Sequence, residues 1–322
     1  MGPSEVTLQI NVAPTDFPHA RYTLAHQLGA WGGQVQEILF TYDLHRTERG
    51  GRFGEGWQER RGPMEELLAS LCARHPHARV AEVDYSPAAA AAVAETFTGG
   101  RPVPPKDTKG APYYPYFAGL HEARFDLIVH MDSDVMFGGA SQTWVGEGCE
   151  LLARDAAVLA CGPLPGPPAS DGRLRRQSGE TYPLDSPAYS FDSLSSRIFM
   201  IDRSRLVERV CPIPLLGPVR PVAAAKARLH GNPPYRAAEL AIGDAMVAAG
   251  MRRVDFLGRD PGIWSVHPPY RSDEFYAALP AIIAQIEAGT VSDDQLGDYE
   301  LSDGMFDWTA ARRRARLRRL WA

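Results

Sequence analysis

The sequence predicts an α/β fold in which a mostly parallel central sheet is flanked by helices and followed by a C-terminal helical extension. Strand-like and helix-like segments alternate along most of the chain, which predicts right-handed crossovers between parallel strands. Residues 127–131 are apolar apart from His130, as expected for a central strand that is covered on both faces. We therefore expect one main domain at residues 1–272 and the helical extension at residues 273–322.

Each predicted element rests on its pattern of apolar residues. Alternating apolar and polar residues predict the first strand at 6–12. Apolar runs predict the other strands, at 37–44, 78–85, 127–131, 156–164, 196–202 and 252–258. Apolar residues at helical spacing predict helices at 20–31, 64–71, 87–97, 113–120, 144–152, 236–249 and 275–286. Segments rich in Gly, Pro and charge predict loops at 45–62 and 163–190, the second a lid over a functional site.

Charge and composition argue against several classes of protein. The formal net charge of -5 argues against a nucleic-acid partner, because such proteins usually carry a basic surplus. The four cysteines lie far apart with no Cys-x-x-Cys pair, which argues against a zinc site and favours a reducing, cytoplasmic location. No leader segment and no run of about 18 apolar residues is present, so we expect no membrane span.

The C-terminus is rich in arginine, and no acidic residue follows Asp307. A basic helix of this kind fits peripheral contact with an anionic membrane surface. It fits equally well a solvated helix that packs its few apolar residues against the main domain. The sequence leaves both interpretations open.

Two carboxylates, Asp132 and Asp134, come directly after the predicted central strand. Ligands of open α/β sheets bind beyond the carboxyl ends of the strands. Carboxylates at positions i and i+2 can converge there on Mn²⁺ or Mg²⁺, which would also bind phosphate oxygens. The alternative interpretation is an Asx turn that caps the following segment.

The segment 109–139, KGAPYYPYFAGLHEARFDLIVHMDSDVMFGG, resembles the centre of the GT-A type glycosyltransferases, particularly their large inverting family. The resemblance implies a Rossmann-like domain that transfers a sugar from a UDP-, GDP- or dTDP-sugar with the help of Mn²⁺ or Mg²⁺. It also implies that Asp132 contacts the ribose or the donor sugar, that Asp134 binds the metal, and that Lys109 lies near the diphosphate. Lys106 is the rival to Lys109 in that role.

In this family the ends of the first two strands hold the nucleotide base. The resemblance therefore assigns base contacts to Ala13, Pro14 and Thr15 after the first strand, and to Asp43 after the second. Asp43 would accept a hydrogen bond from an imide N–H, or it would simply cap a turn. Asp84, at the end of the third strand, is a further candidate for a base contact.

The family also implies a catalytic base at the start of a late helix, eleven residues before a glycine. Glu239 has that spacing to Gly250, although Ala238 replaces the first member of the usual acidic pair. Asp244 is the alternative base. His267 corresponds to a late metal ligand, since a neutral imidazole can complete a coordination sphere begun by carboxylates.

Other functions compatible with the Asp-x-Asp motif lead to different roles for the same residues. A haloacid dehalogenase-like phosphatase would use Asp132 as nucleophile and Asp134 as acid, but about 125 residues of α/β pattern precede the motif here. A non-catalytic nucleotide-sugar binder is the second alternative. The lack of a predicted membrane span favours a soluble small-molecule or glycan acceptor over a growing membrane-bound polymer.

Overall fold

The computed structural model describes residues 5–46, 54–218, 221–229 and 231–321. Eleven strands are found in this part of the chain: β1 Val6–Val12, β2 Glu37–Tyr42, β3 Ala78–Glu82, β4 Leu127–Asp132, β5 Met136–Gly138, β6 Val158–Pro165, β7 Glu180–Thr181, β8 Ala188–Phe191, β9 Ile198–Asp202, β10 Arg252–Phe256 and β11 Trp264–Val266. The ten α-helices of the described ranges are α1 Phe17–Trp31, α2 Trp57–Arg74, α3 Pro87–Thr98, α4 Tyr114–Glu122, α5 Trp144–Arg154, α6 Arg203–Arg209, α7 Pro221–Leu229, α8 Ala238–Ala248, α9 Asp273–Glu287 and α10 Thr309–Trp321.

The strands form one sheet in the order β3-β2-β1-β4-β9-β6-β10-β8-β7, with β5 and β11 attached through β6. Strands β1 to β4 pair in parallel, and β6 pairs in parallel with β10. Strand β9 lies antiparallel between β4 and β6, so β4 and β6 point in the same direction. The predicted fold class, a mostly parallel sheet flanked by helices, is confirmed.

Two apolar clusters cover the two faces of the sheet. One face packs against α1, α2 and α5 through the buried side chains of Leu24, Trp31, Leu68 and Trp144. The other face packs against α3, α4 and α8 through Phe97, Phe117, Ile242 and Met246. Burial on both faces explains why β2 and β6 read as apolar runs and show no alternation.

A third cluster joins the predicted C-terminal extension to the sheet. Helix α9 and the residues before α10 bury Phe275, Leu279 and Trp308 against Met136 of β5 and Trp264 of β11. Helix α10 contributes ion pairs, since Arg312 and Arg314 bind Asp303 and Glu274. None of the described helices has the length and apolarity that crossing a membrane requires. The boundary at residue 272 stays a prediction.

Two predicted loops contain regular structure. Helix α2 begins at Trp57, within the predicted loop 45–62, because Met64, Leu68 and Leu71 bury one face although Pro63 removes a helical hydrogen bond. Residues 47–53 of that loop lie outside the described residues. The loop 163–190 contains β7 and the start of β8. No helix is found between β6 and β9 in this fully described stretch, so β9 cannot return by a parallel crossover and runs antiparallel.

Gly119 allows α4 to approach β1 closely. A Cβ atom at this position would lie 2.5 Å from Gln9 Nε2 and 3.0 Å from Thr41 Oγ1. These two polar groups cannot move aside freely, because Gln9 and Thr41 are buried and hydrogen-bonded to each other. We expect Gly119→Ala to lower the free energy of unfolding by about 1–3 kcal/mol, the usual cost of overpacking, as measured by urea denaturation.

The matched control for this substitution is Gly29→Ala. Gly29 is an exposed residue of α1, and a Cβ atom there would meet no atom within 4 Å. Removing a glycine from an exposed helix interior is expected to raise stability by roughly 0.5–1 kcal/mol. Equal changes in the free energy of unfolding for the two substitutions would show that the packing of α4 against β1 does not require a glycine at position 119.

Candidate active site

A cavity of about 170 Å³ lies at the carboxyl ends of β1, β2 and β4. We call it the main cavity. Residues that follow these three strands contribute to its wall, and so do the start of α8 and the segment before α4. Its polar lining includes Asn11, Thr15, Asp43, Lys106, Tyr116, Asp132, Ser196, Glu239 and Arg271. The position is where open α/β sheets bind their ligands, because the parallel strands all end there.

Helix α1 holds the turn that carries the two carboxylates. Gln27 Nε2 donates to the carbonyl oxygens of Asp132 and Val135 at 3.0 and 2.9 Å. Thr23 Oγ1 donates to the carbonyl oxygen of Ser133 at 2.5 Å, and His19 Nε2 lies 3.0 Å from Ser133 Oγ. Because these side chains are buried, the backbone of the turn is fixed from the side of the helix.

Asp132 and Asp134 lie in different environments. Asp132 lines the main cavity, and its Oδ1 accepts a hydrogen bond from the Tyr116 hydroxyl at 2.9 Å. Asp134 is 1% exposed and forms an ion pair with Arg271, whose Nε lies 2.9 Å from Oδ2. Burial and then the charge of Asp134 raise the pKa of Asp132 to about 8. Burial opposes ionisation of Asp134 too, but Arg271 and His267 hold its pKa well below the ordinary value.

His267 lies beside Asp134, as the predicted metal site requires. Its Nε2 is 3.4 Å from Asp134 Oδ2, and burial lowers its pKa, which favours the neutral form that binds metals. Asp134 Oδ1 is buried and has no hydrogen-bond partner among the described residues. An unsatisfied buried carboxylate oxygen next to a neutral imidazole fits one side of a divalent-cation site.

The complete three-residue metal set is not assembled. In the part of the chain that the structure describes, no group of three or more His, Cys, Asp or Glu side chains is placed to hold a metal ion. The structure brings Asp134 and His267 together, whereas Asp132 faces Tyr116 and the main cavity. The role of Asp132 as a metal ligand stays a prediction.

Glu239 lies at the wall of the main cavity in the first turn of α8. Its Oε2 accepts hydrogen bonds from the backbone N–H and the hydroxyl of Ser196, at 3.1 and 2.7 Å. Asp244, the alternative base, is 58% exposed on the same helix, does not line the main cavity, and lies 4.0 Å from Arg236. Of the two predicted candidates, Glu239 therefore lines the main cavity and Asp244 does not, and the role of catalytic base stays a prediction.

Only part of the predicted set of nucleotide-base contacts lines the main cavity. Asp43 is buried and accepts hydrogen bonds from Lys106 Nζ at 2.5 Å and from the Tyr85 hydroxyl at 2.8 Å. Thr15 lines the main cavity, but Pro14 does not. Lys109 is exposed and also lies outside the lining, whereas its rival Lys106 lines the main cavity beside Asp43.

Among the polar residues of the main cavity that were not predicted are Tyr116, Ser196 and Asn11. Tyr116 and Ser196 connect Asp132 to Glu239, and Asn11 lies beside Asp132 in the pairing of β1 with β4. Asn11 Nδ2 is buried and has no hydrogen-bond partner among the described residues. Asn11 continues the alternation of apolar and polar residues in β1, so its place near the carboxyl end of the strand was the available signal. Tyr116 and Ser196 carry no such signal, because only the fold brings them together.

No protein-family model matches the chain, and no curated protein matches it. Solved structures with a similar fold include GalNAc-T7 with UDP, GalNAc and Mn²⁺ (11% identity, TM-score 0.49, 82% of this chain and 43% of that one). Another is the mannosyltransferase PcManGT from Pyrobaculum calidifontis with GDP-Man and Mn²⁺ (11% identity, TM-score 0.43, 90% and 66%). A third is glucosyl-3-phosphoglycerate synthase from Mycobacterium tuberculosis with Mn²⁺, UDP and phosphoglyceric acid (11% identity, TM-score 0.38, 88% and 77%). The chain spans less than two thirds of the length of the first two.

Lys106→Met removes the charge that balances the buried carboxylate of Asp43. The side chains of Lys106 and Asp43 are only 7% and 4% exposed, so the remaining carboxylate would be buried without its cation. We expect the free energy of unfolding to fall by about 3 kcal/mol, as measured by urea denaturation. Lys109→Met is the matched control, and its effect should stay within about 0.5 kcal/mol. Similar losses in both variants would contradict the assignment of Lys106 as the partner of Asp43.

Proposed function

We propose that this protein is a GT-A type glycosyltransferase that uses a nucleotide-sugar donor and a divalent cation. The observation that carries the proposal is the joint placement of Asp132 and Glu239 in one cavity at the carboxyl ends of the parallel strands. One carboxylate lies at the end of β4 and the other at the start of α8, with Tyr116 and Ser196 between them. A donor sugar bound beside Asp132 would thus lie near the group that accepts a proton from the acceptor.

Asp134 and His267 are the residues that would hold Mn²⁺ or Mg²⁺. The free oxygen of Asp134 and the neutral imidazole are ligands that such ions accept, and phosphate oxygens would complete the coordination. When bound, the cation neutralises the negative charge that develops on the departing diphosphate. Arg271 pairs with Asp134 and lines the main cavity, so its guanidinium can also turn toward a diphosphate.

The reaction we infer is a single displacement. An acceptor hydroxyl or amine attacks the anomeric carbon, the bond from that carbon to the diphosphate oxygen breaks, and the nucleoside diphosphate leaves with the electron pair. Glu239 takes the acceptor proton, and attack from the face opposite the leaving group inverts the anomeric configuration. Asp132 contacts the ribose or the donor sugar, and Thr15 and Asp43 contact the nucleotide base. A hexose donor and a small-molecule or glycan acceptor are the substrates we propose.

The geometry gives no support to a haloacid dehalogenase-like phosphatase. In that case a second acid after Asp134 would have to face Asp132, and Asp244 instead lies on an exposed face of α8. The strand that precedes Asp132 is also the fourth strand of the chain, not the first. A non-catalytic nucleotide-sugar binder differs from the enzyme only in turnover, so it is an outcome of the experiment below.

The function can be tested by ligand-dependent thermal unfolding. We expect one of UDP, GDP and dTDP to raise the melting temperature in the presence of Mn²⁺, and to do so much less in its absence. A ligand at one hundred times its Kd stabilises the native state by about 2.7 kcal/mol, which such a scan resolves easily. Slow release of free sugar from the matching NDP-sugar would then separate an enzyme from a binder. No shift with any of the three diphosphates would overturn the proposal.

A further inference from the structure

A second cavity lies on the far side of Ser196 from the main cavity. It is lined by Gln177, Ser195, Arg197, Arg253, Ser265 and His267, together with apolar residues and Asp255. Ser196 and Glu239 line the main cavity, whereas the neighbours of Ser196 on either side, Ser195 and Arg197, line this one. The second cavity therefore adjoins the reaction centre, and its lining contains none of the residues assigned to the nucleotide base.

Arg197 places a positive charge without a carboxylate partner at the second cavity. Its guanidinium carbon lies 5.0 Å from the centre of the Tyr299 ring, and no carboxylate of the described residues lies within ion-pair distance of it. The Tyr299 hydroxyl is the side-chain hydrogen-bond partner of Arg197, and Glu239 and Asp134 act on the Arg197 charge only at longer range. A half-buried guanidinium that has no anion of its own is expected to bind one, because its donors are only partly satisfied.

Arg253 adds a second guanidinium to the wall of the second cavity. It is 3% exposed, lies against the ring of Phe191 at 4.3 Å, and is 3.1 Å from Asp255 Oδ1. The one carboxylate of the lining is therefore already next to a cation. Because its lining contains two arginines and one carboxylate, the second cavity carries a net positive charge.

The size of the second cavity limits what can enter it. Its volume is about 30 Å³, which is room for about two water molecules. This space suits a single carboxylate or phosphate group and is too small for a sugar ring. Gln177 comes from the segment 163–190, so the predicted lid contributes directly to the wall.

We propose that the second cavity binds an anionic group of the acceptor, a carboxylate or a phosphate, through Arg197 with Arg253 behind it. The inference rests on the proposed glycosyltransferase function and adds the chemical class of its acceptor. An anion held there lies beyond His267 and Ser196, so the rest of the acceptor extends toward Glu239. The subsite selects acidic acceptors, because a neutral acceptor would leave the Arg197 charge unpaired.

The experiment is a calorimetric titration of inorganic sulfate into the protein saturated with Mg²⁺ and with the nucleoside diphosphate that it binds. Saturation blocks the diphosphate site, so any remaining sulfate binding reports a second anion site. We expect Arg197→Gln to weaken sulfate binding by tenfold or more, the usual effect of losing a charge-assisted hydrogen bond. The affinity for the nucleoside diphosphate should change by less than about twofold. Arg313→Gln, an exposed arginine outside both cavities, is the control and should behave as wild type.

Gln177→Glu provides a second variant that keeps both arginines. It places a negative charge in the lining of the second cavity and should weaken sulfate binding in the same direction. Unchanged sulfate affinity in both variants would overturn the proposal. So would a loss of diphosphate affinity in Arg197→Gln, because Arg197 would then belong to the donor. If no nucleoside diphosphate binds at all, the proposed function fails, and the sulfate titration of the free protein still tests the anion site.

Discussion

Glu239→Gln is expected to lower the rate of sugar transfer, or of the slower hydrolysis of the NDP-sugar, by roughly 10² to 10⁴-fold. The amide cannot accept a proton from the attacking hydroxyl or water. It keeps a carbonyl oxygen for the two hydrogen bonds from Ser196, so the start of α8 should stay in place. Turnover is measured by release of the nucleoside diphosphate under saturating donor.

Asp244→Asn is the matched control for the Glu239 variant. Both carboxylates lie on α8, but Asp244 is exposed and lies outside the main cavity. We expect Asp244→Asn to keep at least about half of the wild-type rate, since exposed substitutions of this kind seldom matter. The affinity of Glu239→Gln for the diphosphate should equal that of wild type. A large loss in the Asp244 variant, or none in the Glu239 variant, would assign the base to a different residue.

The sheet and most helices were predictable because their signals are local. The apolar run before Asp132 forms β4, and the apolar residues at helical spacing after Val12 form α1. In both elements the pattern of apolar residues in the sequence marks the side chains that become buried. The direction of β9 was not predictable in this way. The apolar pattern of its five residues fits either direction, and only the absence of a helix between β6 and β9 in the described chain decides it.

Residues of the candidate site could be predicted where a local pattern or the family resemblance pointed to them. Asp132 and Asp134 follow a buried strand, which is a local pattern, and Glu239 has a spacing that the family resemblance supplies. The sequence left Lys106 and Lys109 as rivals, because both residues lie in one loop. Which of them turns inward depends on the buried carboxylate of Asp43, more than sixty residues away. The surroundings of Arg197 could not be predicted either, because its distance from the nearest carboxylate depends on the fold and not on its neighbours in the sequence.

Asp134→Asn should have two separable effects, one on stability and one on metal dependence. Asp134 is buried against Arg271, so the neutral amide would leave the guanidinium without its counter-charge. Breaking such a pair is expected to lower the free energy of unfolding by about 3 kcal/mol. This value is at the low end of the usual range because Arg271 is 23% exposed. The variant should also lose the Mn²⁺-dependent part of the thermal shift with the nucleoside diphosphate, since the amide is a weaker ligand for a divalent cation.

The double variant Asp134→Asn/Arg271→Gln separates these two effects. Removing both charges leaves no buried ion without a partner, so we expect it to recover most of the stability that Asp134→Asn loses. It should not recover the Mn²⁺-dependent shift, because neither amide replaces the carboxylate beside His267. Urea denaturation measures the first effect, and thermal unfolding with and without Mn²⁺ measures the second. Recovery of metal dependence in the double variant would mean that Asp134 serves only to hold Arg271, and the cation would then have to bind elsewhere in the cleft.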